Sequence, residues 1–141
     1  MKKNLFITAL VFEFLLFTAQ SCKDRSDCHG GITIQNNSSK AIYVDAAAGY
    51  PDTTYFKYGP NPAGNAYDKK VEAGQGNTAG VNSFGNCMES FLTKPIMIYI
   101  FDAHVLETTP WDTVIAHNLY LKRYDLTLAD IKNRNWLVTY P

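Results

Sequence analysis

Asp102 and His104 are the pair of side chains in this sequence best suited to acid–base or metal chemistry. Residues two apart on a β-strand share a face, so a strand here would place the carboxylate beside the imidazole. A metal site would need a further ligand, and no motif brings His29 or His117 to the pair. The alternative is a solvated strand end with a turn-forming aspartate. The sequence favours this alternative, so we predict no metal and no cofactor.

Ser83 and Ser90 lack the Gly-x-Ser-x-Gly context that presents a hydrolytic nucleophile on a sharp turn. A catalytic triad can nevertheless be distributed along a chain without any local motif. The glycines between residues 72 and 86 match neither a phosphate loop nor a dinucleotide-binding loop. These observations favour a protein that is not an enzyme, and they leave a glycan-related enzyme or enzyme accessory as an alternative.

Cys22 is the residue whose chemistry the sequence predicts most directly. It follows a basic start, a run over residues 5–17 that is almost wholly apolar except for Glu13, and a few small and polar residues, which is the layout of a secretion signal. The run is shorter than the roughly 20 residues that span a bilayer. The residues from Ala19 to Cys22 resemble the lipobox of bacterial lipoproteins. We therefore predict a signal peptide over residues 1–21, cleavage between Ser21 and Cys22, and acyl chains such as palmitate on Cys22.

Export is also expected under the alternative, an ordinary signal cleaved after Ala19 or Ser21 that leaves Cys22 as a free thiol. Removal of residues 1–21 takes two of the 13 basic and one of the 13 acidic residues, leaving 11 and 12. Such a balance offers no basic surface to nucleic acid. The remaining 120 residues, with all nine Tyr and both Trp, suffice for one folded domain. The predicted partners are the membrane, through the N-terminal lipid, and a glycan or an envelope protein.

Cys28 and Cys87 are the two cysteines that remain once Cys22 is assigned to lipid. Export delivers them to a compartment where disulfides persist, so a Cys28–Cys87 disulfide is expected. The alternative is two unpaired thiols. Residues 22–31 are charged and glycine-containing, which is typical of a flexible tether between membrane and domain.

Four tyrosines flank the first long loops and could form a platform on which sugar rings stack: Tyr50, Tyr55, Tyr58 and Tyr67. Neighbouring Asn and Asp side chains would supply a polar rim. The alternative is that these tyrosines are partly buried with their hydroxyl groups in solvent, the ordinary position of Tyr, and the sequence favours it. Trp111 and Trp136 are expected to anchor the core.

The elements that would position these residues are mostly short strands. The predicted strands cover 32–35, 40–44, 53–58, 95–101, 119–124 and 136–140. The first two form a predicted hairpin across the turn residues 36–39, and the apolar run 95–101 predicts a strand buried on both faces. Thr127 and Asp130 resemble a capping box that begins a short helix over 128–134. Pro110 can open a further helical turn.

These elements predict a mainly antiparallel all-β domain over residues 32–141. The expected architecture is a single immunoglobulin-like or related β-sandwich with one short helix near the C-terminus. Residues 72–86 are expected to form a long irregular connection.

Six segments of the chain carry a resemblance to known proteins: Phe-Asp-Ala (101–103), Thr-Pro-Trp-Asp-Thr (109–113), Lys-Arg-Tyr-Asp-Leu-Thr (122–127), Asn-Trp-Leu-Val-Thr-Tyr-Pro (135–141), Ile-Thr-Ile-Gln-Asn (32–36) and Lys-Ala-Ile-Tyr-Val (40–44). Together they resemble a group of small lipoproteins from gut Bacteroidota with no assigned biochemical activity. The resemblance implies a lipid-anchored protein of the outer membrane, on either its periplasmic or its surface face. It implies no activity.

In those bacteria, O-glycans are attached to a Ser or Thr that follows Asp and precedes a small or apolar residue, a pattern resembled at Thr53 and Thr113. The alternative for each is a bare turn or helix cap. The function predicted from the sequence is that of a non-catalytic binding or assembly module of the cell envelope. A structural surface subunit that pairs through strand edges is a further alternative.

Overall fold

The computed structural model describes residues 28–53, 61–64, 69–78, 81 and 87–141. The strands in these residues are β1 (Thr33–Asn36), β2 (Ile42–Ala47), β3 (Lys70–Val71), β4 (Gly76–Asn77), β5 (Ile96–Asp102), β6 (Lys122–Leu126) and β7 (Leu137–Tyr140). The helices are α1 (Met88–Phe91), α2 (Ala103–Thr108), α3 (Trp111–Ala116) and α4 (Leu128–Asn133), with a 3-10 turn at Pro62–Gly64. The described part is largely β, with more short helices than the sequence predicted.

The strands form two sheets. The smaller sheet has the order β4-β1-β7, in which β1 is antiparallel to β4 and parallel to β7. The larger sheet has the order β3-β2-β5-β6, and every neighbouring pair in it is antiparallel. The prediction of a mainly antiparallel β structure is therefore confirmed, with the β1–β7 pair as its parallel exception.

β5 lies in the middle of the larger sheet and is buried on both faces, as its apolar sequence predicted. Its residues Ile96, Ile98 and Ile100 pack in a cluster with residues of the smaller sheet such as Ile34 and Val138. Its odd-numbered residues pack in a second cluster with Leu106 of α2 and Val114 of α3. Because both faces are covered, successive residues from Ile96 to Phe101 are all apolar or aromatic and all buried.

The predicted hairpin between β1 and β2 is wrong, because the two strands belong to different sheets. Asn36 is fully buried. Its side-chain amide donates to the backbone oxygens of Lys40 at 2.7 Å and Val71 at 3.0 Å, and its oxygen accepts from the Ser38 backbone NH at 3.0 Å. These bonds hold a bend that carries the chain from one sheet to the other. Alternating polarity identified the strands, but it does not identify their partners.

The helix α4 and the strand that follows it confirm the C-terminal prediction, although the helix ends one residue earlier, at Asn133. The Thr127 hydroxyl accepts from the Asp130 backbone NH at 3.1 Å, and the Asp130 carboxylate accepts from the Thr127 backbone NH at 2.9 Å. These reciprocal bonds form the predicted capping box. Asn135 and Trp136 then take positive φ values of 51° and 60°, which turn the chain into β7.

Candidate functional site

Asp102 and His104 do not share a strand, because the strand ends between them; the sequence favoured a strand end with a turn-forming aspartate. Asp102 is the last residue of β5 and the N-cap of α2. Its Oδ1 atom accepts from the backbone NH of His104 at 2.9 Å and of Val105 at 3.3 Å. The aspartate thus satisfies backbone donors that a helix start leaves unpaired. His104 lies in the first helical turn with its side chain exposed.

A cleft lies beside α2. Its polar side chains come from the residue preceding Ala41 and β2, from β3, from the end of β5 and from α2 itself. Its volume is about 590 Å³, which is within the range of small-molecule sites. Its polar lining residues are Lys40, Lys70, Asp102, His104 and Glu107. Asp102 and His104 therefore do share a surface, but they share it with two lysines and a second carboxylate that the sequence did not single out.

Glu107 and Lys70 form the central ion pair of this cleft, with a nitrogen–oxygen distance of 2.9 Å. The Tyr43 hydroxyl also donates to Glu107, at 3.2 Å. The hydrogen bond with Glu107 raises the pKa of Lys70, and the same bond lowers the pKa of Glu107. Each group thus stabilises the charged form of the other, and the two charges are engaged with each other.

Lys40 supplies the most accessible charge of the cleft, with a side chain that is 76% exposed. Its ammonium lies 3.8 Å from Asp102 Oδ2, which is beyond hydrogen-bond distance. Among the described residues, none accepts a hydrogen bond from this ammonium. A carboxylate or another anionic oxygen could therefore approach it directly. The chemistry available in the cleft is thus recognition of a polar ligand by paired charges.

A second candidate functional feature is the junction between residues 28–31 and the rest of the domain. Cys28 and Cys87 form a disulfide, with their Cα atoms 4.8 Å apart, so the predicted pairing is confirmed. The Met88 backbone NH donates to the His29 carbonyl oxygen at 2.8 Å. Residues 28–31, which the sequence analysis placed in the tether, are thus joined to the domain at α1.

His29 reinforces this attachment with its ring and its backbone. Its Nδ1 atom lies 2.6 Å from Glu89 Oε1, and its backbone NH donates to Glu89 Oε2 at 3.1 Å. The imidazole stacks on Trp136, with ring centroids 4.0 Å apart and an interplanar angle of 11°. Burial of the Glu89 carboxylate opposes its ionisation, but the hydrogen bonds from His29 outweigh burial and lower the pKa of Glu89. We call His29, Glu89 and Trp136 the entry clamp.

His29→Ala is expected to lower the free energy of unfolding by about 1 kcal/mol at neutral pH, because it removes the ring stack and a hydrogen bond to a carboxylate. Because the pKa of Glu89 is lowered in the folded protein, the stabilising effect of the His29–Glu89 contact is complete above the unfolded-state pKa of Glu89. The effect is lost as the pH falls through the folded-state pKa of Glu89. Urea unfolding measures the change. His117→Ala is the matched control, since His117 is exposed after α3, and an equal loss in that variant would contradict the role of the clamp.

Of the four predicted glycan-contact residues, the described part of the chain includes Tyr50 alone, so glycan contact stays a prediction. Tyr50 is half-buried and packs against the cluster between β5 and the helices α2 and α3. Tyr55, Tyr58 and Tyr67 lie outside the described residues, as do the predicted strand residues after Thr53. Trp111 and Trp136 both pack against core clusters, as expected.

The two predicted O-glycosylation positions lie in different settings. Thr53 is half-buried, and Thr113 is exposed on α3. Glycosylation at either remains a prediction. Of the serines considered as nucleophiles, Ser90 donates through its hydroxyl to the Cys87 carbonyl oxygen at 2.8 Å, while Ser83 lies outside the described part of the chain.

The predicted lipidation and cleavage residues, Cys22 and Ser21, also lie outside the described residues. Among the helices that are described, none has the length and hydropathy of a membrane span. The same residues contain no cluster of three or more His, Cys, Asp or Glu side chains that could hold a metal ion.

The cleft was not predicted from the sequence because α2 was not predicted. A local signal was available: Asp102 is a favourable N-cap, and Ala103 and Leu106 have the three-residue spacing of a buried helix face. No comparable signal connects Lys40, Lys70 and Glu107, which are distant in sequence. Comparison of the chain with protein-family models, with curated proteins and with solved structures finds no match to any of them.

Proposed function

We propose that this protein is a lipid-anchored component of a bacterial cell envelope and that its domain is a non-catalytic binding or assembly module. In this proposal Cys22 carries acyl chains in the outer membrane, and a short segment leads from it to the domain. The observation that carries the proposal is the Cys28–Cys87 disulfide, six residues after Cys22. A structural disulfide persists in exported proteins and is rare in the cytosol, so it supports export by the predicted signal.

The entry clamp supports the anchoring part of the proposal. An anchored domain needs a firm junction where its tether arrives, and here a covalent bond, an imidazole–carboxylate contact and a ring stack meet at the first described residues. The two lowest-numbered described residues, Cys28 and His29, supply all three contacts.

The absence of catalysis in this proposal rests on how the cleft uses its groups. Asp102 caps α2, and Glu107 accepts from Lys70 and Tyr43, so the described hydrogen bonds of these carboxylates do not orient the His104 ring as a catalytic base. A glycan-related enzyme or accessory remains the alternative function. The finer form of the fold, an immunoglobulin-like or related β-sandwich, belongs to the same proposal and is supported by the cluster that contains residues of both sheets.

The anchor is tested with Cys22→Ser in cells of a Gram-negative anaerobe. Wild-type protein is expected in the membrane fraction, with a mature N-terminus whose mass includes acyl chains, because one cysteine with several chains anchors firmly. Cys22→Ser is expected to move to the soluble fraction. Cys87→Ser is the matched control, since it removes a cysteine and the disulfide but leaves Cys22, and it should stay with the membrane. A mature N-terminus without acyl chains would sink the proposal.

A further inference from the structure

β6 is the longest strand at a sheet edge among the described residues. It pairs with β5 on one side, and no described strand pairs with its other side. An edge of this kind presents backbone NH and carbonyl groups to a partner strand. The edge strand β7 differs, because the Tyr124 hydroxyl donates to its Thr139 carbonyl oxygen at 2.9 Å. The edge strands β3 and β4 have only two residues each.

The charges on β6 are arranged as opposites rather than as a repelling series. Arg123 and Asp125 lie two residues apart and therefore on one face of the strand. The guanidinium binds the carboxylate twice, at 2.7 Å and 2.8 Å, and it also lies 5.8 Å from the centre of the Tyr99 ring. These contacts fix both charged groups on the face of the sheet that carries Tyr99. Edge strands that resist pairing commonly carry charged side chains, Lys above all. β6 carries Lys122 on its other face, but on the face of Arg123 and Asp125 each charge is matched by its opposite.

This arrangement is complementary to itself. If two copies of β6 run antiparallel about a two-fold axis at Tyr124, then Arg123 of each copy lies opposite Asp125 of the other. Tyr124 lies opposite its own copy, and directly opposed aromatic and opposite-charge pairs are the favourable cross-strand pairs. A shift of two residues in either direction removes both ion pairs, and a shift of one residue places the charges on opposite faces. The charge pattern therefore selects one register.

We propose that the outer edge of β6 binds a second copy of this chain, in that register, to form one continuous eight-stranded sheet across a two-fold axis. The contact is isologous, so it closes as a dimer and does not propagate into a fibre. Leu119 and Leu121 precede β6 and are 38% and 48% exposed; they supply apolar area beside the charged pairs. The pairing goes beyond the proposed anchoring function and needs only the folded domain, but two copies tethered to one membrane would meet more readily.

The test begins with charge reversal in the full-length protein, purified in a mild detergent that dissolves it whether or not Cys22 carries lipid. Sedimentation at several concentrations should show a reversible dimer for wild type. Arg123→Asp places acidic residues opposite acidic residues, and Asp125→Arg places basic opposite basic. Each variant alone should have a dissociation constant at least about tenfold higher than wild type.

Mixing the two variants distinguishes a loss of pairing between chains from a loss of stability within one chain. The strand of Arg123→Asp is acidic at both positions and that of Asp125→Arg is basic at both, so the mixture should form heterodimers although neither variant forms homodimers. The double variant Arg123→Asp/Asp125→Arg exchanges the charges and should regain homodimers even if one single variant folds poorly. A monomeric wild type, or single variants that dimerise as tightly as wild type, would overturn the proposal, as would a mixture and a double variant that both stay monomeric.

Discussion

Cys87→Ser is expected to lower the free energy of unfolding by about 4 kcal/mol. The disulfide joins residues 59 apart in sequence, and the loop-closure entropy that it removes from the unfolded chain corresponds to about that value. The melting temperature should fall by roughly 10–20 °C for a domain of this size. Thermal unfolding of the purified protein, followed by circular dichroism, measures the loss.

The control for this prediction is that the free-energy losses of the two cysteine substitutions should not add. Cys28→Ser breaks the same bond, so it should cost as much as Cys87→Ser, and the double variant should cost no more than either single one. Wild-type protein unfolded in the presence of a reducing agent should match the variants. If the reduced wild-type protein kept its melting temperature, the disulfide would contribute little, and the junction would depend on the entry clamp alone.

Lys69→Met is expected to destabilise the domain by about 3 kcal/mol at neutral pH, because it leaves the buried Asp45 carboxylate without its partner. The Lys69 ammonium contacts Asp45 Oδ1, and the two side chains are 10% and 8% exposed. Lys70→Met is a matched control one residue away. The Lys70 ammonium lies in the open cleft and binds Glu107, so its loss should have a much smaller effect. Urea unfolding of the two variants measures the contrast.

The loss in Lys69→Met should shrink as the pH falls. Burial already raises the pKa of Asp45 although Lys69 opposes the shift, and removal of Lys69 raises that pKa further. A carboxyl group whose folded-state pKa exceeds its unfolded-state value favours the folded protein when it is protonated, so stability returns as the pH falls through the folded-state pKa. Asp45→Leu combined with Lys69→Met should recover most of the loss at neutral pH. A pH-independent loss would mean that Asp45 is not the group left unpaired.

The features that the sequence predicted correctly are those with a local cause. The continuous apolar run of β5 required burial on both faces, and the structure places a core cluster on each. The capping box of Thr127 and Asp130 involves residues three apart. The disulfide followed from arithmetic, since assigning Cys22 to lipid leaves one possible pair.

The features that could not be predicted depend on residues distant in sequence. His29 meets Glu89 across 60 positions, and Lys69 meets Asp45 across 24. The sequence shows that a carboxylate and a cation are present, but it carries no information on which pair the sheets bring together. The predicted hairpin was wrong for the same reason, since β1 is adjacent to β2 in sequence yet pairs with the last strand of the chain.

The pairing of β1 with β7 also orders the events of folding. Thr33 lies beside Leu137, so the smaller sheet joins the first described strand to the last one. Until residues 137–140 have been synthesised, β1 can pair only with its other described neighbour in the sheet, the two-residue strand β4. Contacts of such long sequence separation form late because a large loop must close first. A chain that emerges from its N-terminus onward therefore has to keep Ile34 and its neighbours from misassociating until residues 137–140 arrive.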